Sequence, residues 1–233
     1  MPLNSAMVGR RSRRFRHAVD ARWLMAYAAA LGETAAHYFD TDATVIGHPL
    51  FPVCLEWPVV LDARHLEGAQ TLTPAESGSG VHATHDLIIH APIAAGDEVF
   101  TTSLVAGIEQ RKPGAYQLTK LETVRADGVV VATTWQGSLF RGVTVVGGDR
   151  SVESPPALPN RDAAKALKRA FAVPVAAGAA HVYTECARIW NPIHTDRAVA
   201  RAAGLPDIIL HGTATLALAV SAIVSNCSTT IAS

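Results

Sequence analysis

Ile189-Trp190-Asn191-Pro192-Ile193-His194-Thr195-Asp196, answered further on by His211-Gly212-Thr213, is the stretch that decides how this chain is read. Pro192 lacks an N–H and pushes Asn191 away from helical geometry, so an extended segment ends here in a turn that presents His194. Thr195 or Asp196 then caps a short helix running through Ala203, which Gly204 and Pro206 terminate. Ile208-Ile209-Leu210-His211-Gly212 reads as a short apolar strand turning into a helix. Gly212 lets other groups come close to the backbone, and a helix start offers amide hydrogens with no partner. A histidine near such donors suits proton chemistry beside a carbonyl.

These residues resemble the MaoC-like dehydratases, or (R)-specific enoyl-CoA hydratases (hydratase 2). There an Asp-x-Asn-Pro-x-His turn is followed by a short helix and then by a His-Gly that opens a long buried helix. Asn191, Pro192, His194, His211 and Gly212 match that pattern, and Gly212 falls at the family's distance after His194. The aspartate does not match, because Ile189 stands where the family has its catalytic carboxylate. The resemblance implies reversible hydration of trans-2-enoyl thioesters to 3-hydroxyacyl thioesters, carried on CoA or an acyl-carrier protein, with no cofactor. By the same resemblance His194 exchanges the proton and the Gly212 amide holds the thioester oxygen. Asn191, His211 and Thr213 contact substrate or orient water. Ile189 can accept no proton; Glu185 replaces the missing acid only if it projects inward, and Asp196 is expected to cap the helix instead.

The chain has 233 residues, 49% of them apolar and 17% charged, with 20 basic against 20 acidic side chains. That describes one large or two small globular domains, and gives no reason to expect nucleic acid or an anionic membrane as partner. No apolar run is long enough to span a bilayer. Cys54, Cys186 and Cys227 stand far apart in no metal-ligand spacing and read as reduced residues of a cytoplasmic protein. His82, His85 and His90 alternate with apolar neighbours, but no carboxylate or cysteine completes a ligand set, so outward-facing polar positions are expected and no metal. Arg10, Arg11, Arg13, Arg14 and Arg16 could pass for a transit peptide; a basic outer edge of the first strand is the expected reading.

Asp20 is a good N-cap for a helix from Ala21 to Leu31, stopped by Gly32. A second helix, Val53 to Leu66, begins at Pro52, carries a kinking Pro58 and is apolar on several sides. Four β-rich runs follow, at 81–90, 99–110, 116–125 and 129–141. A buried helix and a meander of long antiparallel strands predict an α+β hotdog, the sheet curled round the helix. The expected organisation is a double hotdog. Residues 1–143 form a first, non-catalytic hotdog resembling the N-terminal half of such dehydratases, and 144–170 a linker with Pro155, Pro156, Pro159 and a charged stretch from Arg161 to Arg169. Residues 171–233 then form a second hotdog that opens with a strand from His181 to Ile189 and holds a long apolar helix, Thr213 to Val224.

Burying the large side chains of that last helix is worth roughly 1.5–3 kcal/mol each. Too little sequence follows it to supply covering strands, so the second hotdog is expected to be incomplete: a truncated product, or one covered by a homodimer partner or another chain. Three functions compete: a hydratase or dehydratase, a non-catalytic thioester-binding or scaffold protein favoured by Ile189, and a hotdog thioesterase.

Overall fold

The computed structural model describes residues 2–69, 72–73, 76, 80–157, 170 and 172–231, with side chains as far as 226. Pro159, the charged stretch 161–169 of the expected linker and the Cys227 side chain lie outside the described residues.

The first helix, α1 (Ala21–Ala30), is capped as its sequence requires: Asp20 Oδ1 accepts the Trp23 N–H at 2.7 Å. Helix α2 (Pro52–Asp62) opens on Pro52, whose missing donor costs nothing in a first turn, and continues as a tighter turn over Ala63–His65. Strands β1 (Leu3–Asn4) and β2 (Phe15–Ala18) precede these helices, and β3 (Gly80–Ile89), β4 (Glu98–Arg111), β5 (Gly114–Arg125) and β6 (Val130–Arg141) follow. The main sheet has the order β2-β4-β5-β6-β3, antiparallel throughout, and α2 lies against β2, β4 and β5. This is the expected helix in a curled sheet. Arginines decorate the β2 edge: Arg16 pairs with Glu98, and the Arg14 guanidinium sits 3.6 Å over the Phe100 ring. Two short strands, β7 (Val145–Val146, parallel to β1) and β8 (Arg150–Ser151, paired with β4), fall inside the stretch read as a linker.

The second half differs from the sequence reading at its start. Residues Ala179–Ala187 are not a strand but a helix, α3. Its buried positions, Ala180, Tyr183, Thr184 and Ala187, are three and four apart, a helical stripe that Val182, Tyr183 and Thr184 disguise as a β-rich run. Arg188 ends it in the left-handed conformation (φ 57°), and the Ile189 N–H reaches back to the Thr184 carbonyl at 3.1 Å, a Schellman-type closure. The Arg188 guanidinium lies 3.9 Å over the Trp23 ring, a contact that offsets the cost of that backbone. After α4 (Arg197–Ala202) comes α5 (Gly212–Ile231). Residues Ile208–Leu210, expected as a strand, belong to no strand; they form the approach to α5.

The two halves share one core. Trp23, Leu24, Tyr27, Phe51, Val53 and Leu55 of the first pack in a single buried cluster with Tyr183, Ala187, Ile189, Ala214 and Ala217 of the second. Trp23 Nε1 donates to the Cys186 carbonyl at 3.1 Å, and buried His48 ties the loop before α2 to Ser221 of α5 (Nε2 to Oγ, 3.1 Å). Burial of α5 fades along its length, and Ile223 and Val224 are half exposed.

Two stability predictions follow from this packing. A Cβ at Gly137 would run into the hydroxyls of Thr84 and Tyr116, which bond each other at 2.8 Å. Gly137→Ala should therefore cost about 1–3 kcal/mol in urea denaturation. Burial lowers the pKa of His48 from 6.5 to about 4, so between those pH values the unfolded chain binds a proton that the folded chain refuses. Its contribution is complete above pH 6.5 and is lost as pH falls toward 4, at up to ~1.4 kcal/mol per pH unit. His85 and His211, also lowered to about 4, act in the same direction, while Glu56, raised to about 7 by burial, opposes them. Melting temperature should fall over that acid window, and His48→Gln should make the fall shallower.

Candidate active site

Pro192 opens a single 3-10 turn, Pro192–His194, as a residue with fixed φ and no N–H can. The turn closes with the His194 N–H on the Asn191 carbonyl at 3.1 Å. Asp196 caps α4, accepting the Ala198 and Val199 N–H groups at 2.8 and 3.2 Å, as its position in the sequence suggests. The turn and cap together hold His194, 8% exposed, against the segment leading into α5.

The imidazole is then fixed by one bond. His194 Nδ1–H donates to the Ile209 carbonyl at 2.8 Å, which makes Nε2 the lone-pair nitrogen. Burial lowers the His194 pKa, and the bond to Ile209 partly restores it, so the ring is neutral at pH 7. His211 stacks on it, ring centres 3.7 Å apart and planes 26° from parallel. His211 Nε2 lies 3.1 Å from Thr184 Oγ1 and donates to the Ile189 carbonyl at 3.3 Å, and its buried Nδ1 has no partner among the described residues. Burial, then the neighbouring His194, hold its pKa at about 4.

Gly212 follows His211 directly and is the first residue of α5. The first amide bond inside that helix runs from Thr215 to the His211 carbonyl at 3.0 Å. The Gly212 amide therefore heads the helix without a carbonyl one turn earlier to take it. A Cβ at Gly212 would meet nothing within 4 Å, so no protein atom presses on it; the open side belongs to a cavity.

That cavity has a volume of about 620 Å³ and joins the two halves. Ile189, Asn191, His194, His211, Gly212 and Thr213 line it from the second half; the α2 face of Val53, Glu56, Trp57 and Val60 lines it from the first. All five site residues read from the sequence, His194, Gly212, Asn191, His211 and Thr213, thus border one space. Ile189 is a buried part of the wall, 5% exposed and packed in the shared core. Glu185 does not project inward: it is exposed, its carboxylate receives the Trp190 Nε1–H at 3.4 Å, and it borders a separate shallow hollow.

Three placements escaped the sequence. Tyr183 connects the site to the first half, its hydroxyl 3.3 Å from that of Tyr27 and hydrogen-bonded to Thr213, its ring 5.0 Å from His211. Tyr183 gains its inward position from the helix that replaces the expected strand. His82 and His85, expected to face outward, are in the cavity wall, because a β-bulge between His82 and Thr84 shifts the register of β3. Glu56 also lines the cavity; an acid set among apolar residues in the middle of α2 is the signal the sequence offers. No group of three His, Cys, Asp or Glu that could hold a metal occurs among the described residues, and no described helix is long and apolar enough to cross a membrane.

Comparison with known proteins bears on both halves. The sequence profile of the FAS1-like dehydratase domain region matches residues 6–134, and that of the MaoC-like domain matches residues 161–233. No curated protein matches significantly. Among solved structures, the chain is similar to a MaoC-like dehydratase from Phytophthora capsici (21% identity, 92% of this chain and 74% of that one, TM-score 0.73). It is also similar to HtdX of Mycobacterium tuberculosis (18%, 89% and 75%, TM-score 0.65) and to peroxisomal multifunctional enzyme type 2 of Drosophila melanogaster (21%, 94% and 38%, TM-score 0.67). These structures share its hotdog fold. With its profile over more than half of the length, the chain belongs to the family of the FAS1-like dehydratase domain region, and the segment that carries the Asn-Pro-x-His turn matches the MaoC-like domain.

Proposed function

We propose that this protein interconverts trans-2-enoyl and 3-hydroxyacyl thioesters, carried on CoA or an acyl-carrier protein, at the end of the cavity where His194 meets the start of α5. The observation that carries the reading is the pairing of an unprotonated His194 Nε2 with the unpaired Gly212 amide on one cavity wall. The thioester oxygen accepts the Gly212 N–H, which stabilises the negative charge that grows there as C3 is attacked. Nε2 takes a proton from water, hydroxide adds to C3, and the same nitrogen returns the proton to C2. Dehydration is the reverse. With Ile189 in place of the family's carboxylate, one imidazole performs both transfers in turn, and Asn191 and Thr213 border the space the water and thioester occupy. The two-domain organisation, with a first hotdog enclosing the acyl chain and a second presenting the chemistry, belongs to the same proposal.

A second reading rests on Ile189. An apolar, buried side chain at that position suits a protein that binds acyl thioesters without turning them over. The two readings separate in the laboratory. If His194 is the base, His194→Ala should lower kcat/KM for hydration of crotonyl-CoA by about 10²–10⁴-fold. The acid limb of the wild-type rate should lie below pH 6.5, because burial lowers that pKa. Wild-type protein that binds crotonyl-CoA without hydrating it would favour the second reading. Ile189→Asp should raise kcat/KM at least about tenfold by supplying the second group, and lower the melting temperature because it places a carboxylate in the shared core.

A further inference from the structure

The concave face of a hotdog sheet packs against its helix, and there the polar groups are the informative ones. Strand register sets out the inward residues of β5, β6 and β3 as rows across the sheet. One row is Gln117, Ser138 and His82; the next is Thr119, Gln136 and His85. All six line the cavity. On one side of this pair the row is Ala115, Phe140 and Gly80; on the other it is Leu121, Thr134 and Leu87. The sheet thus carries a polar band two rows deep, with an apolar row on one side and a row of two leucines and Thr134 on the other.

The band is built rather than accidental. His82 and His85 are three apart in sequence, and regular alternation would point them to opposite faces. The bulge between His82 and Thr84 absorbs the extra residue and turns both inward, with His82 Nε2 3.2 Å from His85 Nδ1. Gln117 and Thr119 are buried, and the Gln117 amide donates to Thr119 Oγ1 at 3.1 Å, which leaves its carbonyl oxygen for another donor. Glu56, 3% exposed on α2, lines the same space and accepts a hydrogen bond from Thr134. A plain alkyl chain in this space would strip these groups of water and return no hydrogen bond, at about 1–3 kcal/mol for each group left unpaired.

We propose that the band is a polar subsite selecting acyl thioesters whose chain bears a hydroxyl or carbonyl oxygen beyond the reacting C2–C3 bond, over plain alkyl chains. The proposal rests on the acyl-thioester reading of the cavity and adds the class of chain. Its occupant is a substituted acyl group with both hydrogen-bond acceptors and donors within reach: amide oxygens and imidazole nitrogens for a hydroxyl, amide and hydroxyl hydrogens for a carbonyl.

The test is calorimetric titration of the full chain with saturated acyl-CoA thioesters of one length, one unsubstituted and the others carrying a single hydroxyl at successive carbons beyond C3. These chains have neither a C2–C3 double bond nor a 3-hydroxyl and cannot react, so binding is read apart from catalysis. At least one hydroxyl position should bind about tenfold more tightly than the plain chain. Gln117→Leu and Ser138→Ala should each reduce that preference severalfold without weakening the plain chain, with melting temperature checking that both variants fold. Equal or tighter binding of the plain chain against every hydroxylated one would overturn the polar subsite while leaving the thioester reading intact. Failure of every acyl-CoA to bind would overturn both.

Discussion

The position of the His194–His211 pair depends on a line of aromatic and imidazole contacts that begins in the other half of the molecule. Tyr27 of α1 holds its hydroxyl 3.3 Å from both the Leu50 carbonyl and the Tyr183 hydroxyl. The Tyr183 ring lies against His211, and His211 stacks on His194. Each contact is modest alone, worth about 0.5–1.5 kcal/mol beyond area for an aromatic pair. In sequence they fix His211, which stacks on the His194 ring and whose carbonyl takes the Thr215 N–H at the start of α5. The candidate site in the second half is therefore held in place by the packing of the first.

That dependence also explains the burial pattern. α3 presents a narrow face of Ala180, Tyr183, Thr184 and Ala187 to α1 and to the site, and its small residues let the helices approach. Ile189, following directly, completes the apolar wall and lends its carbonyl to His211. A carboxylate side chain there would enter that wall with the backbone contact unchanged. The imidazole pair does not depend on the Ile189 side chain: it is bonded to the carbonyls of Ile189 and Ile209 and to the Thr184 hydroxyl.

Much of this was legible in the residues. Asp20, Pro52, Pro192 and Asp196 act through local rules of capping and ring geometry, and each stands where those rules put it. The four long strands declared themselves by β-branched runs between turn residues. What failed did so where tertiary context overrides local preference. Ala179–Ala187 contains Val182, Tyr183 and Thr184 in succession and looks extended, yet its fate is decided by a partner helix distant in sequence. Ile208–Leu210 looks like a strand but has no strand to pair with among the described residues. The five site residues could be named from a motif; that they share a wall with Glu56 and two histidines of β3 could not, since it depends on register.

The bulge at Ala83 has a consequence of another kind. Were β3 to pair regularly up to its start, Ala83 would stand opposite Ser138 and Val81 opposite Phe140, replacing His82 and Gly80 on the inner face. A wet lining and a greasy one are thus separated by a slip of a single position near one end of an edge strand, with no amino acid exchanged. Insertions and deletions in the segment feeding that strand are accordingly a route by which related enzymes could re-line their tunnels while the imidazoles and the glycine amide stay untouched.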